Sequence, residues 1–153
     1  MEWAHQKIWR HTLKKIAHRG NTNGPSANEN MPWYIQQALN NGFDVEIDIW
    51  RIGDRLWLGH DSAQYLVSEE FLYKNAFNLW IHCKNFEAMD YFAKQALTYN
   101  FFWHQTDDFT ITNHGQIWTY PGREVGDSSV IVDLEGTGKY NCYGICSDYV
   151  ALI

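Results

Sequence analysis

Two pairs of polar residues in this sequence alternate with apolar residues in the pattern of strands. Glu46 and Asp48 alternate with valine and isoleucine in DVEIDIW, and His82 and Lys84 do the same in NLWIHCK. Residues two apart in a strand share a face, so each pair points away from the apolar side. Two carboxylates held close together repel each other unless a cation or a shared proton lies between them. The spacing therefore predicts a site for a hard divalent cation such as Mg²⁺, Mn²⁺ or Ca²⁺.

A second set of residues could bind an anion and move protons. IAHRG reads as an apolar strand that ends in His18 and Arg19, and LGHD places His60 at the end of another strand. Arg19 and Lys84 can bind phosphate oxygens beside a bound cation. Histidine titrates near neutrality, so His18 and His60 can exchange protons with an alcohol or water. These residues point to metal-assisted phosphoryl chemistry, and solvated strand faces are the simpler alternative.

The elements around these residues alternate between strands and helices in the first two-thirds of the chain. Residues 14–18 and 44–52 read as strands, and MPWYIQQALNNG reads as a helix with Asn30 as a plausible N-cap. Residues 85–100 read as a second clear helix, after which only strands and loops follow. This order predicts parallel βα units, which place chemistry at the carboxyl ends of their strands.

Composition limits the class of protein. A chain of 153 residues with 45% apolar residues fits one domain, residues 1–153, with a real core. A net charge of −6 and the lack of a Lys/Arg cluster predict no nucleic-acid partner. No apolar run approaches the roughly 18 residues of a membrane-spanning helix, so we expect no membrane partner. Three cysteines are an odd number, which favours free thiols and a cytoplasmic protein.

The order of these motifs resembles a known family. AHRG, Glu29-Asn30, a helix running into GFDVEIDI, and LGHD look like the N-terminal signature of the glycerophosphodiester phosphodiesterases, members of the phospholipase-C-like phosphodiesterases. The match covers residues 16–61 and continues more weakly through LWIHCKN to the closing GICSDYV. The resemblance implies a TIM-type (β/α) barrel and a metal-dependent phosphodiesterase.

The resemblance also implies roles for the residues around the substrate. His18 and His60 would be the general acid–base pair, one taking a proton from the attacking group and the other protonating the leaving alkoxide. Arg19 would bind the phosphate and Lys84 would lie against it. Trp118 is a candidate for substrate contact, with a core tryptophan as the alternative. The expected substrate is a small or carbohydrate-linked phosphodiester; a weak pseudoenzyme or a phosphate- or sugar-binding module is the alternative.

The metal ligands implied by the resemblance include one departure from the family pattern. Glu46 and Asp48 would hold a divalent metal (Mg²⁺, Mn²⁺ or Ca²⁺), and Glu29 would orient groups around it. Where the family usually has a third acidic ligand, this chain has His82. Histidine can ligate a metal, but it shifts the preference from Ca²⁺ toward Mn²⁺ or similar ions.

The length of the chain is the larger departure. A TIM barrel typically takes about 250 residues, and this chain lacks the helices of the second half. We expect a reduced or incomplete barrel with seven or eight strands and no helices in its C-terminal half. The late strands either join through short loops or are covered by a second copy of the chain in a homodimer.

Overall fold

The computed structural model describes residues 12–153, which form one sheet of ten strands and three α-helices. The strands are β1 (Lys14–His18), β2 (Asp44–Ile52), β3 (Arg55–Leu58), β4 (Tyr65–Val67), β5 (Leu79–Cys83), β6 (Asn100–Phe102), β7 (Phe109–Ile111), β8 (Ile117–Thr119), β9 (Ser129–Val132) and β10 (Gly144–Ser147). The helices are α1 (Pro32–Asn40), α2 (Glu69–Lys74) and α3 (Phe86–Ala93), and 3₁₀ turns cover Ala76–Asn78 and Val150–Leu152.

Seven of the described strands form a parallel array in the order β6–β5–β2–β1–β10–β9–β8. The last strand, β10, therefore returns to lie beside the first, β1. Three antiparallel strands extend this array. β3 pairs with the C-terminal half of β2, β4 pairs with β3, and β7 pairs with β8. The parallel array confirms the predicted βα units, and the absence of an α-helix after α3 in residues 12–153 confirms the reduced second half.

The sheet curls until its two parallel ends meet. Strands β6 and β8 stand at opposite ends of the array, yet the rings of Phe102 and Trp118 stack with centroids 4.4 Å apart. The Asn100 amide also donates to Gln116 Oε1 at 3.2 Å, and the backbone N–H of Asn113 donates to the Phe101 carbonyl at 3.1 Å. This arrangement is compatible with an incomplete barrel, joined between β6 and β8 by side chains and one turn.

The two faces of the curled sheet bury different residues. On the outside, Val45, Ile47 and Ile49 of β2 belong to the cluster that contains the inner faces of α1 and α3. On the inside, six buried residues form a second cluster: Ile16, Trp80, Phe102, Trp118, Val130 and Cys146. The alternation of strand side chains thus directs Glu46 and Asp48 into the interior, as their spacing predicts.

The predicted elements agree with the structure except at one helix. Strands β1 and β2 have the predicted bounds. The helix predicted over residues 85–100 is wrong in length, because α3 ends at Ala93 and turns follow. Tyr99 packs edge-on against Phe92 at 5.2 Å, so the chain must fold back there to enter β6.

Two further findings concern membranes and thiols. Within residues 12–153, no helix is both long and apolar enough to cross a bilayer. Cys83, Cys142 and Cys146 are free thiols, as the odd number of cysteines predicts.

Candidate metal centre and catalytic cleft

Three buried or half-buried residues could hold a metal ion at the carboxyl ends of two paired strands. Glu46 and Asp48 lie on β2, and His82 lies on β5 directly beside Asp48 in the parallel register. One ligand atom from each lies within 4.8 Å of the others. Glu46 and Asp48 are 2% and 1% exposed, so bulk water solvates neither carboxyl group. Two buried carboxyl groups at this distance cannot both ionise without a positive charge beside them.

The orientation of His82 decides which nitrogen faces the carboxylates. Its Nε2 lies 2.8 Å from the backbone carbonyl of His104, which can only accept, so Nε2 carries the proton. Phe102 stacks on the ring with centroids 5.0 Å apart and holds its plane. Nδ1 is therefore directed at Asp48 Oδ1, 3.2 Å away, and lies 3.8 Å from Glu46 Oε1. Metal-ligating histidines are commonly held by such a bond to the other nitrogen.

Asp48 is held in place by Asn30 from outside the strand. The Asn30 side chain donates to Asp48 Oδ2 and accepts from the Asp48 backbone N–H, both at 3.0 Å. Burial alone would raise the pKa of Asp48, but His82, Asn30 and Arg19 outweigh burial and hold this pKa well below its usual range. Asp48 is thus an anion with a fixed orientation at any ordinary pH.

Glu46 has the opposite electrostatic situation. Burial and the negative charge of Asp48 raise the pKa of Glu46 to about 7. Its Oε2 accepts from the Arg19 backbone N–H at 3.2 Å, and Oε1 faces His82. Glu46 is therefore the member of the group that gives up a proton when a cation enters.

Arg19 connects the metal group to the cleft. Its backbone adopts the left-handed conformation (φ 56°), which is uncommon for a residue other than glycine, directly after β1. Nη1 lies 3.4 Å from Glu29 Oε2, and Nε lies 3.3 Å from Asp48 Oδ2. Nε is buried and makes no hydrogen bond of good geometry. Its nearest acceptor is the Asp48 carboxylate, so the guanidinium offsets part of the negative charge of the buried carboxyl groups.

His18 belongs to a network that controls its proton. Nδ1 donates to Asp148 Oδ1 at 2.7 Å, which leaves Nε2 facing Glu46 Oε2 at 4.0 Å. Asp148 also accepts from Asn21 Nδ2 at 2.9 Å, and Asn21 donates to Glu29 Oε1 at 2.7 Å. Burial alone would lower the pKa of His18, but the Asp148 hydrogen bond and the Glu46 charge outweigh burial and raise it.

A cleft of about 430 Å³ opens above these groups. Its lining contains eight of the nine predicted site residues: His18, Arg19, Glu46, Asp48, His60, His82, Lys84 and Trp118. Nδ1 of His60 bonds to its neighbour Asp61 at 2.7 Å. Trp118 is only 4% exposed and stacks on Phe102, so it belongs mainly to the interior cluster.

Glu29 is the predicted site residue that stays outside the cleft lining. Its carboxylate faces Arg19 and Asn21, and it is not part of the three-residue group. Its predicted part in orienting groups around the metal would therefore act through Arg19, and a direct metal contact stays a prediction.

Sequence reasoning missed four residues of the site. It treated Asn30 as a helix cap, which is wrong, because α1 begins after Met31 and the Asn30 side chain bonds to Asp48. Asp148, within the GICSDYV segment, was not among the predicted site residues, yet its carboxylate holds His18. Sequence reasoning gave no role to Asn21 or to the His104 carbonyl. The left-handed backbone of Asn30 (φ 65°) explains why its side chain leaves the helix start.

Comparisons with known proteins identify no family. No family model matches the chain, and no curated protein or solved structure gives a significant match. The likeness to the glycerophosphodiester phosphodiesterases is therefore carried by the motifs alone and stays a prediction.

Proposed function

We propose that this protein is a metal-dependent phosphodiesterase built on an incomplete TIM-type barrel. The observation that supports it most is the His82 contact: the bond to the His104 carbonyl leaves Nδ1 free to join Glu46 and Asp48 around one cation. Beside this group lie an arginine that lines the cleft and a histidine oriented by Asp148. These are the parts that in-line attack on a phosphodiester requires.

Glu46, Asp48 and His82 would hold the metal, and their donor set fits one. Two carboxylate oxygens and one imidazole nitrogen suit Mn²⁺ better than Ca²⁺, because Ca²⁺ prefers oxygen ligands alone. A bound divalent ion would supply charge stabilisation for the oxygens of the phosphoryl group. Asp48 enters the group already ionised, and Asn30 prevents it from rotating away.

The phosphate would be positioned by Arg19 and Lys84. The Arg19 side chain is partly exposed and lines the same cleft as Lys84. A guanidinium fork binds two non-bridging oxygens at once, whereas an ammonium acts as a point charge. Glu29 holds the other end of the Arg19 fork and so limits its movement.

His18 and His60 would handle the protons. The raised pKa of His18 favours its protonated form, so we assign it as the acid that protonates the leaving oxygen from Nε2. His60 would then accept the proton of the attacking water. Asp61 is almost fully exposed, so it orients His60 only weakly.

The substrate class we infer is a small phosphodiester, such as a glycerophosphodiester or a carbohydrate-linked diester. The cleft of about 430 Å³ lies within the range of small-molecule sites. The positive charges of Arg19 and Lys84 would bind the oxygens of one phosphate group.

Hydrolysis of bis(p-nitrophenyl) phosphate tests the proposal. We expect turnover with Mn²⁺, loss of turnover in EDTA, and loss in His18→Ala and Glu46→Gln. His114→Ala is the matched control, because His114 is exposed, its ring bonds to the Ala96 carbonyl, and it does not line the cleft. Equal activity of His18→Ala and His114→Ala would contradict the assignment of His18.

The second candidate is a module that binds a phosphate or sugar without turnover. The specific observation in its favour is the pairing of Arg19 with both Glu29 and Asp48, which opposes transfer of the guanidinium to a substrate. Under this alternative, the protein binds Mn²⁺ and a phosphate monoester but hydrolyses no diester with any metal.

A further inference from the structure

Asn21 connects two parts of the site without lining the cleft. It is fully buried and is absent from the cleft lining. Its side-chain Nδ2 donates to Asp148 Oδ1 at 2.9 Å and to Glu29 Oε1 at 2.7 Å. The same oxygen of Asp148 accepts from His18, and the other oxygen of Glu29 faces Arg19. One amide group therefore joins the residue that would supply a proton to the residue that would bind the phosphate.

The orientation of the Asn21 amide is fixed by its three partners. The hydroxyl of Tyr34 donates to Asn21 Oδ1 at 2.9 Å. A flipped amide would point its oxygen at two carboxylates and would lose both hydrogen bonds to them. Asn21 therefore has one orientation, and neither of its amide hydrogens is left for a substrate.

The backbone turn after β1 places Asn21 at this position. The Asn21 N–H donates to the His18 carbonyl at 2.9 Å, so the chain turns back directly after the histidine. Gly20 has a φ of 90° in this turn, and a Cβ there would lie 2.9 Å from the Tyr34 ring. A backbone N–H of the following loop donates to the Asp148 carbonyl at 2.7 Å. These contacts bring the hydroxyl and one of the two carboxylates to the amide.

We propose that Asn21 is a positioning residue that holds His18 and Arg19 in the relative arrangement that phosphodiester cleavage needs. This inference rests on the proposed function. Asp148 and Glu29 are both carboxylates, and an amide that donates to each of them lets them lie close together. Without the amide they would repel each other and each would lose a donor, so His18 and Arg19 would both be displaced. A displacement of about 1 Å at such groups can cost roughly 100-fold in rate.

Steady-state kinetics with bis(p-nitrophenyl) phosphate and Mn²⁺ separates this role from a purely structural one. Asn21→Leu keeps the approximate volume of the side chain and removes both donors. We expect kcat to fall and KM to rise, each roughly tenfold, because the acid and the phosphate-binding residue are both displaced. Asp148→Asn should lower kcat alone, and Glu29→Gln should raise KM alone. Asn23→Leu, at an exposed position of the same loop, is the matched control and should behave as the wild type.

Heteronuclear NMR of the nitrogen-labelled, metal-free protein at one pH tests the same link without turnover. Asn21→Leu should shift the ring signals of His18 and the Nε–H signal of Arg19 together. Asp148→Asn should shift chiefly the His18 signals, and Glu29→Gln chiefly the Arg19 signal. If Asn21→Leu does not fold, Asn21→Ser replaces it in both experiments, because serine leaves room for water beside the two carboxylates.

Two results would overturn the positioning role. One is a folded Asn21 variant in which only kcat, only KM or neither changes. The other is a folded Asn21 variant in which the His18 and Arg19 signals do not shift together. A wild type that hydrolyses no diester would instead contradict the proposed function, and the NMR comparison would then decide the Asn21 link by itself.

Discussion

The Nε2 proton of His82 is held by the backbone carbonyl of His104 at 2.8 Å, and this bond determines what His82 offers to Glu46 and Asp48. With Nε2 as the N–H donor to this carbonyl, the nitrogen that faces the two carboxyl groups and can bind a metal is Nδ1. Because the anchor is a main-chain atom, substitution of the His104 side chain leaves it available.

Replacement of His82 tests the ligand set. His82→Ala should weaken Mn²⁺ binding by roughly 10- to 100-fold or more, since one of three protein ligands is lost. His82→Glu should restore an all-oxygen site and shift preference toward Ca²⁺ or Mg²⁺. Isothermal titration of each metal against each variant measures both effects. His114→Ala, remote from the cleft, is the control, and an unchanged Mn²⁺ affinity in folded His82→Ala would remove His82 from the site.

Metal affinity should depend on pH through Glu46. The pKa of Glu46 is raised to about 7 by burial and by Asp48, so at pH 6 a proton occupies the position that the metal needs. Affinity should therefore increase from pH 6 to pH 8 and then level off, with close to one proton released per metal at pH 6 and about half a proton at pH 7. Calorimetry in buffers of different ionisation enthalpy counts the protons. Glu46→Gln should bind weakly at every pH; a pH-independent affinity in the wild type would contradict this role for Glu46.

The free energy of unfolding of the metal-free protein should decrease as pH rises through the same range. The native pKa of Glu46 lies above its unfolded value near 4.5, so the stability linked to its proton is present below pH 4.5 and lost as pH passes 7. His18 has a raised pKa and contributes in the same direction. We expect a loss of order 1–3 kcal/mol between pH 5 and pH 8.

Denaturant unfolding at several pH values, with EDTA present, measures this loss. Glu46→Gln should flatten the dependence, because glutamine does not titrate. Saturating Mn²⁺ should reverse it, because binding to the native state adds stability. A metal-free wild type that becomes more stable from pH 5 to pH 8 would contradict the buried Glu46 proton.

Asp148 should act on catalysis through His18. Asp148→Asn removes the carboxylate that orients Nδ1 and holds the proton, so the pKa of His18 should fall. If His18 is the acid, kcat should drop by roughly 10- to 100-fold with little change in KM, and the alkaline limb of the pH–rate profile should move to lower pH. Steady-state kinetics across pH 5 to 9 measures both changes. A purely structural role for Asp148 would lower the folded fraction but leave the alkaline limb in place.

The sequence predicts the strands of the site well because their signal is local. In DVEIDIW every second residue is apolar, and the structure buries those residues against helices while Glu46 and Asp48 face inward. The same alternation identifies His82 and Lys84 on β5. Both line the predicted cleft, so spacing alone brings the metal and phosphate residues to one side of the sheet.

The contacts that orient the side chains of the site could not be predicted from local spacing. Asp148 lies 130 residues from His18, and only the return of β10 to β1 brings the two together. Asn30 has the sequence position of a cap, and its left-handed backbone, which no residue type dictates, directs it to Asp48. The His104 carbonyl is a main-chain atom and has no signature in the sequence. Long-range pairing and backbone conformation thus account for what was missed.

The most direct test of the central claim is the initial rate of bis(p-nitrophenyl) phosphate hydrolysis by metal-stripped protein as Mn²⁺ is added. The account predicts no rate without metal, a rate that saturates as the site defined by Glu46, Asp48 and His82 fills, and its loss when EDTA is added. A rate that is independent of metal, or no hydrolysis by protein that demonstrably binds Mn²⁺ at these residues, would contradict the claim that this centre cleaves phosphodiesters.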